Sequence, residues 1–431
     1  MPACRGPMRI LLATDSYPPL IGGATRAAQL LGHELVRRGH DVHVVTVAQE
    51  GAAPEEDDQG VSVTRLHAAT FRMGRFSSDP YRRVPPPFPD PELTARLRRV
   101  IAATSPDVVH AYGWLAYSCA VALAGRSTPL LLSARDYGNI CAVRTLMRRD
   151  SRCSGPGPRK CLACAAAFYG PVKGAAAAAG VLAGRRLLRR RISGIHSVSG
   201  FVDEAMRRHL VDGRKDLRRA VIPDFRVESG EAAGSVGLPS EPYILYVGAL
   251  RRVKGIHVLI DAWQALRRPR PPLVLIGPRA PDTPDAFPAG VTVIEDAPHA
   301  VVMRAWRDAL LGVAPSVWYE PLGNVVHEAQ SRGAVVIGTT PGGHDDMITS
   351  GEDGLLVPPG DRAALRDAMQ VLVDDPALRE AMGERGRARA ARFTAERIVP
   401  EFEALYRDVL RWDESAEDAI SPRSNRETTP T

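Results

Sequence analysis

Short runs of consecutive apolar residues alternate with segments of helical period along most of the chain. Met8–Ala13, Val42–Val47, Val108–His110, Leu130–Ser133 and Ile195–Val198 read as strands of a first series. Tyr243–Val247, Leu273–Ile276, Val291–Ile294, Leu311–Ala314, Val335–Ile337 and Leu355–Val357 form a second. Between them lie helix-period segments such as Ala24–Arg38, closed by Gly39, and Ile256–Leu266 and Asn324–Arg332. The strand runs are apolar throughout and do not alternate. That is the signature of parallel strands buried on both faces, with helices as crossovers. The fold class is α/β, with two Rossmann-like α/β/α domains.

The break between the two series is Val227–Pro242, rich in Gly, Ser, Glu and Pro and without period. It reads as an interdomain linker. A chain of 431 residues also exceeds the ~250–300 residues over which one core grows. The expected domains are 8–222 and 240–395, followed by a helix at 396–412. The polar stretch 413–431 is expected to be a disordered tail. Residues 50–60 and 72–91, the latter holding Pro85-Pro86-Pro87, are expected to be irregular loops.

Composition adds boundaries. At 45% hydrophobic and 24% charged residues the chain is ordinary globular protein. No run approaches the ~18 apolar residues of a membrane span. The first apolar run ends at Asp15, as a strand would and a signal peptide would not. A cytoplasmic protein is expected. The net charge is +7, with a local cluster at Arg185-Arg186-Leu187-Leu188-Arg189-Arg190-Arg191. This cluster is either a solvated helix face or a peripheral contact with an anionic membrane or acceptor. No nucleic-acid-binding motif accompanies it, so nucleic acid is not an expected partner.

The chemistry concentrates after two strands. The loop Asp15–Gly23 lacks the Gly-x-Gly-x-x-Gly spacing of a dinucleotide fingerprint, which argues against a nicotinamide or flavin enzyme. Gly22-Gly23 lies just before a helix, where bare backbone approaches an anion, or makes a simple turn. The stretch Ala314–Ala329 places Glu320 in a loop after a strand and Glu328 about one turn inside the next helix. Carboxylates accept from sugar and ribose hydroxyls, and the free amides near Pro321 and Gly323 suit a pyrophosphate. Open parallel sheets bind ligands at this edge.

This stretch resembles the Glu-x7-Glu motif of the retaining family 4 glycosyltransferases (glycosyltransferase group 1), which have the GT-B fold. Other segments share the resemblance in order: Gly22-Gly23, Asp107–His110, Ser197-Val198-Ser199, Val247–Gly255, Gly342-Gly343 and Gly354–Asp361. It covers nearly the whole folded chain. The resemblance implies a nucleotide diphosphate sugar as donor, an acceptor hydroxyl, retained anomeric configuration by front-face displacement, and no cofactor or catalytic metal. It further implies that Glu328 holds the ribose hydroxyls and Glu320 the donor sugar. Amides near Leu322, Gly323 and Asn324 would hold sugar and phosphate. Lys254 would neutralise the leaving diphosphate, where a fixed cation meets growing charge. The final helix would cross back to the first domain.

Two positions depart from the family pattern. Ala249 stands where an Arg often follows the glycine, leaving Arg251 or Arg252 to supply that cation. Arg135-Asp136 stands where a His-Asp pair is frequent, so a side-chain acid–base role there is in question. Both departures keep open a catalytically inactive nucleotide-sugar-binding protein. Finally, Cys141, Cys153, Cys161 and Cys164 fall in the segment Asn139–Lys173, which has little periodicity and few apolar side chains. Four thiolates there suit a structural zinc in the first domain; buried free thiols are the alternative.

Overall fold

The computed structural model describes residues 6–20, 22–72, 84–149, 151–227 and 237–420, the last nine of these as backbone only. The first sheet draws on β1 (Arg9–Thr14), β2 (Asp41–Val47), β3 (Glu55–Asp58), β4 (Val61–Leu66), β5 (Val108–Tyr112) and β6 (Leu130–Ala134). After a two-stranded hairpin, β7 (Met147–Arg148) and β8 (Ser151–Arg152), it is completed by β9 (Gly194–Ser197) and β10 (Arg218–Val221). The strand order is β10-β9-β6-β5-β1-β2-β4-β3, parallel except for β3 against β4. The second sheet takes β11 (Ile244–Val247), β12 (Leu273–Ile276), β13 (Val291–Ile294), β14 (Leu311–Val313), β15 (Val336–Thr339) and β16 (Gly354–Val357). Its order is β13-β12-β11-β14-β15-β16, all parallel. Both sheets reverse their order beside the first strand of their series. Ligands of open α/β sheets lie at that point, beyond the carboxyl ends of the strands.

The first half carries α1 (Gly23–Arg37), α2 (Pro91–Thr104), α3 (Leu115–Ala122), α4 (Pro158–Tyr169), α5 (Pro171–Arg191) and α6 (Gly200–His209). The second carries α7 (Ile256–Gln264), α8 (His299–Asp308), α9 (Val325–Ser331), α10 (Arg362–Asp374) and α11 (Pro376–Ala390). Local chemistry fixes several starts. Asp90 accepts the N–H groups of Glu92 and Leu93 ahead of Pro91, and Asp361 and Asp375 cap α10 and α11 in the same way.

The last helix, α12 (Ala395–Ile420), follows the second sheet in sequence but packs on the first. Glu403 accepts from Arg38 at 2.7 Å and lies 3.0 Å from His40, and the Tyr406 hydroxyl lies 2.9 Å from His110 Nδ1. Phe402 stands edge-on to His196, with ring centroids 4.7 Å apart. Burial lowers the pKa of both His110 and His196, the latter to about 4, so these two imidazoles of the anchorage are neutral.

Three expectations change. The loop expected at 50–60 contains β3, whose Glu55-Glu56-Asp57-Asp58 pairs along the outer edge of the sheet. An acidic edge strand has no apolar pattern to betray it, and its charges suit an edge that must not pair further. The cysteine-bearing segment is not aperiodic throughout, since its second half runs through α4 into the start of α5, a helical hairpin. Its own small core is Ala142, Ala165, Ala177, Ala178 and Val181. Alanine forms helix readily but marks its buried face weakly. The tail expected from residue 413 begins as helix, to Ile420; residues 421–431 lie outside the described residues, as do 73–83 of the second loop and 228–236 of the linker.

Candidate functional site

The site is assembled where β14 ends. The chain leaves the sheet through Ala314 and Pro315 and turns back on itself, so that Ser316, Trp318 and Glu320 face one another. Glu320 is buried and accepts four hydrogen bonds. Two come from Lys254 Nζ, at 2.9 and 2.8 Å, one from Ser316 Oγ at 2.7 Å, and one from Trp318 Nε1 at 2.9 Å. Burial alone would raise the carboxyl pKa. Lys254, His344 and Ser316 overcome it and hold Glu320 at about 2, so it is anionic at any working pH.

Lys254 reaches this carboxylate because of the residue that follows it. Arg252–Lys254 form a single 3-10 turn that ends at Gly255, with φ +80°. A Cβ at Gly255 would stand 1.8 Å from the carbonyl oxygen of Pro315. Only glycine lets the two loops close to this distance. The ammonium also lies 5.1 Å from the centre of the Trp318 ring.

The loop is held from the other side by the residues after β15. His344 Nδ1 accepts from the Thr339 N–H at 3.0 Å. Its Nε2 end lies where a Cβ on Gly323 would stand, 2.4 Å away, and Gly323 has φ +89°. The Gly343 N–H donates to the Glu320 carbonyl at 2.6 Å. Leu322 is buried and Asn324 starts α9, which carries Glu328 in its first turn. Glu328 Oε1 lies 3.3 Å from His299 Nε2, at the start of α8. Lys254, Glu320 and the Leu322–Asn324 loop are therefore one constellation, and Glu328 stands on the helix leaving it.

The other predicted residues divide. Gly22 and Gly23 open α1, and a Cβ on Gly23 would lie 4.0 Å from Asn324 Nδ2, so the first half's loop meets the second half's there. Arg251 is paired with Asp282 at 3.4 Å, and the same carboxylate accepts the Arg252 N–H at 2.9 Å. The Arg252 side chain is exposed and has no ion-pair partner among the described residues. Arg135 and Asp136, adjacent in sequence, go separate ways. Arg135 pairs with Asp224, which is buried and also accepts from Asn324 Nδ2 at 2.7 Å. Asp136 accepts from Arg144 at 2.9 Å and from the Gly138 N–H at 2.7 Å. Arg144 in turn lies over Trp114 and 3.5 Å from Asp15, which accepts the N–H groups of Trp114 and Leu115.

Further contacts cross the seam. The Tyr137 hydroxyl donates to the Tyr319 carbonyl at 2.9 Å, and the Gly200 N–H to Asp346 at 2.6 Å. The rings of Phe201 and Tyr319 stack at 5.4 Å.

Asp224, Ser316, Trp318 and His344 were not assigned from sequence. Asp224 follows the last strand of its sheet as Glu320 follows β14. That strand reads Arg-Arg-Ala-Val, however, and carries no apolar run to mark the edge. The four cysteines expected as zinc ligands or buried thiols, Cys141, Cys153, Cys161 and Cys164, are each partly buried. All four are free, the Gly157 N–H donates to Cys161 Sγ at 3.3 Å, and Cys153 Sγ lies 3.5 Å from the Gly155 carbonyl. Among the described residues no three His, Cys, Asp or Glu side chains are grouped so as to hold a metal ion. Nor, among them, is any helix long and apolar enough to cross a membrane.

Two family models match the chain in tandem. Residues 22–224 match the glycosyl transferase 4-like domain and residues 233–389 the glycosyl transferases group 1 model. The glycogen synthase of Mycobacterium tuberculosis is 28% identical over 422 residues, covering 92% of this chain and 91% of that protein. The N-acetyl-alpha-D-glucosaminyl L-malate synthase of Bacillus anthracis is 24% identical, covering 95% of this chain and 99% of that one. In structure, the sucrose-phosphate synthase of Thermosynechococcus elongatus aligns with a TM-score of 0.73 at 22% identity, over 94% of this chain and 100% of that one. Anabaena HepE, solved with UDP and glucose, aligns at 0.66 and 17%, over 93% and 100%. With both halves matched in order and the GT-B arrangement of two Rossmann-like sheets in place, the chain belongs to the group 1, family 4 glycosyltransferases.

Proposed function

We propose that this glycosyltransferase moves a sugar from a nucleotide diphosphate sugar to an acceptor hydroxyl with retention of anomeric configuration. The donor would lie along the carboxyl edge of the second sheet. The observation that carries this reading is the Lys254–Glu320 pair, locked by Ser316 and Trp318. A carboxylate held at a pKa of about 2 is a pure acceptor, suited to sugar hydroxyls. Lys254 is the partly exposed member of the pair, at 32% against 10% for Glu320. It is placed to exchange part of its bond to Glu320 for the diphosphate as negative charge grows there. Arg252, exposed beside it, supplies a second cation, and no metal is needed in this reading. Glu328, steadied by His299, would take the ribose hydroxyls.

In the transfer, the bond from the anomeric carbon to the diphosphate oxygen breaks and a bond to the acceptor oxygen forms on the same face. The acceptor proton passes to the departing phosphate oxygen. Front-face displacement is favoured because the first-half carboxylates near the seam are all engaged, Asp15 and Asp136 by N–H groups and Arg144, and Asp224 by Arg135 and Asn324. HepE, solved with UDP and glucose, is a structural neighbour in keeping with this donor class. The test is a thermal-shift panel of UDP-, GDP-, ADP- and dTDP-sugars, followed by NMR of the anomeric signal in the product. Stabilisation by a member of the panel and a product with the donor's configuration are expected. An inverted product would exclude the retaining reading.

A further inference from the structure

The hairpin β7–β8 and the turn after it crowd positive charge at the rim of the seam. The Arg152 guanidinium lies 4.8 Å from the ring centre of Phe201 and 5.4 Å from that of Tyr319. Those two rings are the stacked pair that bridges the halves, and Tyr319 directly precedes Glu320. Two residues beyond Arg152, Ser154 Oγ accepts from Lys160 Nζ at 2.7 Å. The next residue, Gly155, presses its backbone on the imidazole of His209, so that a Cβ there would stand 2.3 Å from the ring. Arg185 enters from α5, its Nε buried and without a hydrogen-bond partner. Burial, and then the charges of Arg185, Arg152, Arg208 and Lys160, lower the pKa of the His209 imidazole. Arg208 has its own carboxylate in Glu204. Among the described residues, none pairs with Arg152, Lys160 or Arg185.

We propose that Arg152, Lys160, Arg185 and His209 form an anion-binding site at the rim of the seam, and that it receives a phosphate or carboxylate group carried by the acceptor. The inference rests on the glycosyltransferase reading for the acceptor, but the site itself stands on the side chains. Three cations, from a hairpin, α4 and α5, with no carboxylate partner among the described residues, repel one another, and an anion relieves that repulsion. Guanidinium groups bind phosphate and carboxylate by paired hydrogen bonds. The stacked Phe201 and Tyr319 rings beneath Arg152 offer an apolar floor on which a sugar face can rest. Glu320 of the donor constellation directly follows Tyr319, so an acceptor anchored here would lie beside the donor site. The cysteine-bearing segment thereby acquires a role besides packing: it carries Arg152 and Lys160 to the rim.

The test uses the full chain, labelled in its histidine rings, with inorganic phosphate as the probe. His209→Gln assigns the resonance. Saturable displacement of the His209 signal is expected, with a Kd on the order of 1 mM for so small an anion. Arg152→Gln, an exposed change, should weaken it several-fold, and Arg152→Gln/Arg185→Gln should abolish it, while the other histidine signals report an intact fold. Displacement should persist with a nucleoside diphosphate present. A signal that phosphate does not move would overturn the site, as would the same displacement in the double variant. Release of phosphate by the nucleoside diphosphate would assign the cations to the donor and overturn the acceptor role. All three readouts are independent of whether the panel of nucleotide sugars yields transfer, so failure here and failure of the donor reading can be told apart.

Discussion

Two ion pairs face each other across the seam, and they are built for opposite purposes. Lys254–Glu320 comes from the second half. Its carboxylate has four donors and its ammonium is 32% exposed. Arg135–Asp224 comes from the first half, with exposures of 12% and 6%, and its carboxylate holds Asn324 from the other side. The first pair can give up one member to a ligand without leaving a buried charge bare, since Ser316 and Trp318 stay on Glu320. The second cannot. Removing either partner strands the other in a low dielectric. A cation in the position of a frequent family histidine therefore need not be a catalytic cation. Here its charge is spent on Asp224, and the pair fastens the start of α9 against the first half.

This contrast can be broken in several ways. Asp224→Ala should be the most damaging change, destabilising the protein by about 3–5 kcal/mol in denaturant unfolding, because Arg135 is left uncompensated. Arg135→Ala/Asp224→Ala should recover much of that loss, which a double-mutant cycle reads directly. Wild-type stability in Asp224→Ala would mean that the pair fastens nothing. Lys254→Ala should cost less stability than Asp224→Ala, since Ser316 and Trp318 still donate to Glu320, and lower kcat by ~10²-fold or more, the scale of one lost electrostatic stabiliser. If both variants lose stability alike, the two pairs do the same job.

A third region sharpens the comparison, because behind the first sheet the protein keeps two buried histidines neutral beside the Arg38–Glu403 ion pair. His196 is held at about 4 against 6.5 unfolded, chiefly by burial, and His110 is lowered too. A base with a depressed folded pKa stabilises the fold above pH 6.5 and loses that contribution as pH falls toward 4. Between pH 7 and 5 the loss from His196 alone should be roughly 2 kcal/mol. His196→Asn, which cannot take up the proton, should flatten the slope. The ion pairs at the seam stay charged throughout this range, so the rear anchorage of α12 should loosen first. Hydrogen exchange in α12 at pH 5 would show it, and uniform exchange across the chain would count against it.

Much of this was legible in the sequence, for a physical reason. Strands buried on both faces write continuous apolar runs, so the strand runs at 8–13, 42–47, 244–247 and 273–276 are plain. The loop after β14 is plain as well, since a Glu, a Pro and a Gly between a strand and a helix have few other uses. What was hidden lacks that signal. β3 is all acid, β10 begins with two arginines, and the α4–α5 hairpin packs on alanines. Asp224 was missed because its strand was missed. The spacing of the cysteines suggests a ligand set; Cys153 and Cys161 both meet the backbone of the Gly155–Gly157 turn. Lys254 and Glu320, 66 residues apart, could be paired only through the family resemblance. The geometric reason, Gly255 against Pro315, is invisible until the loops are seen together.

The central claim is that a nucleotide sugar lies along the edge that carries Lys254, Glu320 and Glu328. Equilibrium binding of the stabilising nucleotide sugar to the wild-type chain and to Glu328→Ala tests it most directly. Ribose contacts lie away from the bond that breaks, so the account predicts donor affinity weakened roughly 10-fold in Glu328→Ala, about 1.4 kcal/mol, with kcat at saturating donor little changed. Unaltered donor affinity in Glu328→Ala, or no binding by any member of the panel, would contradict it.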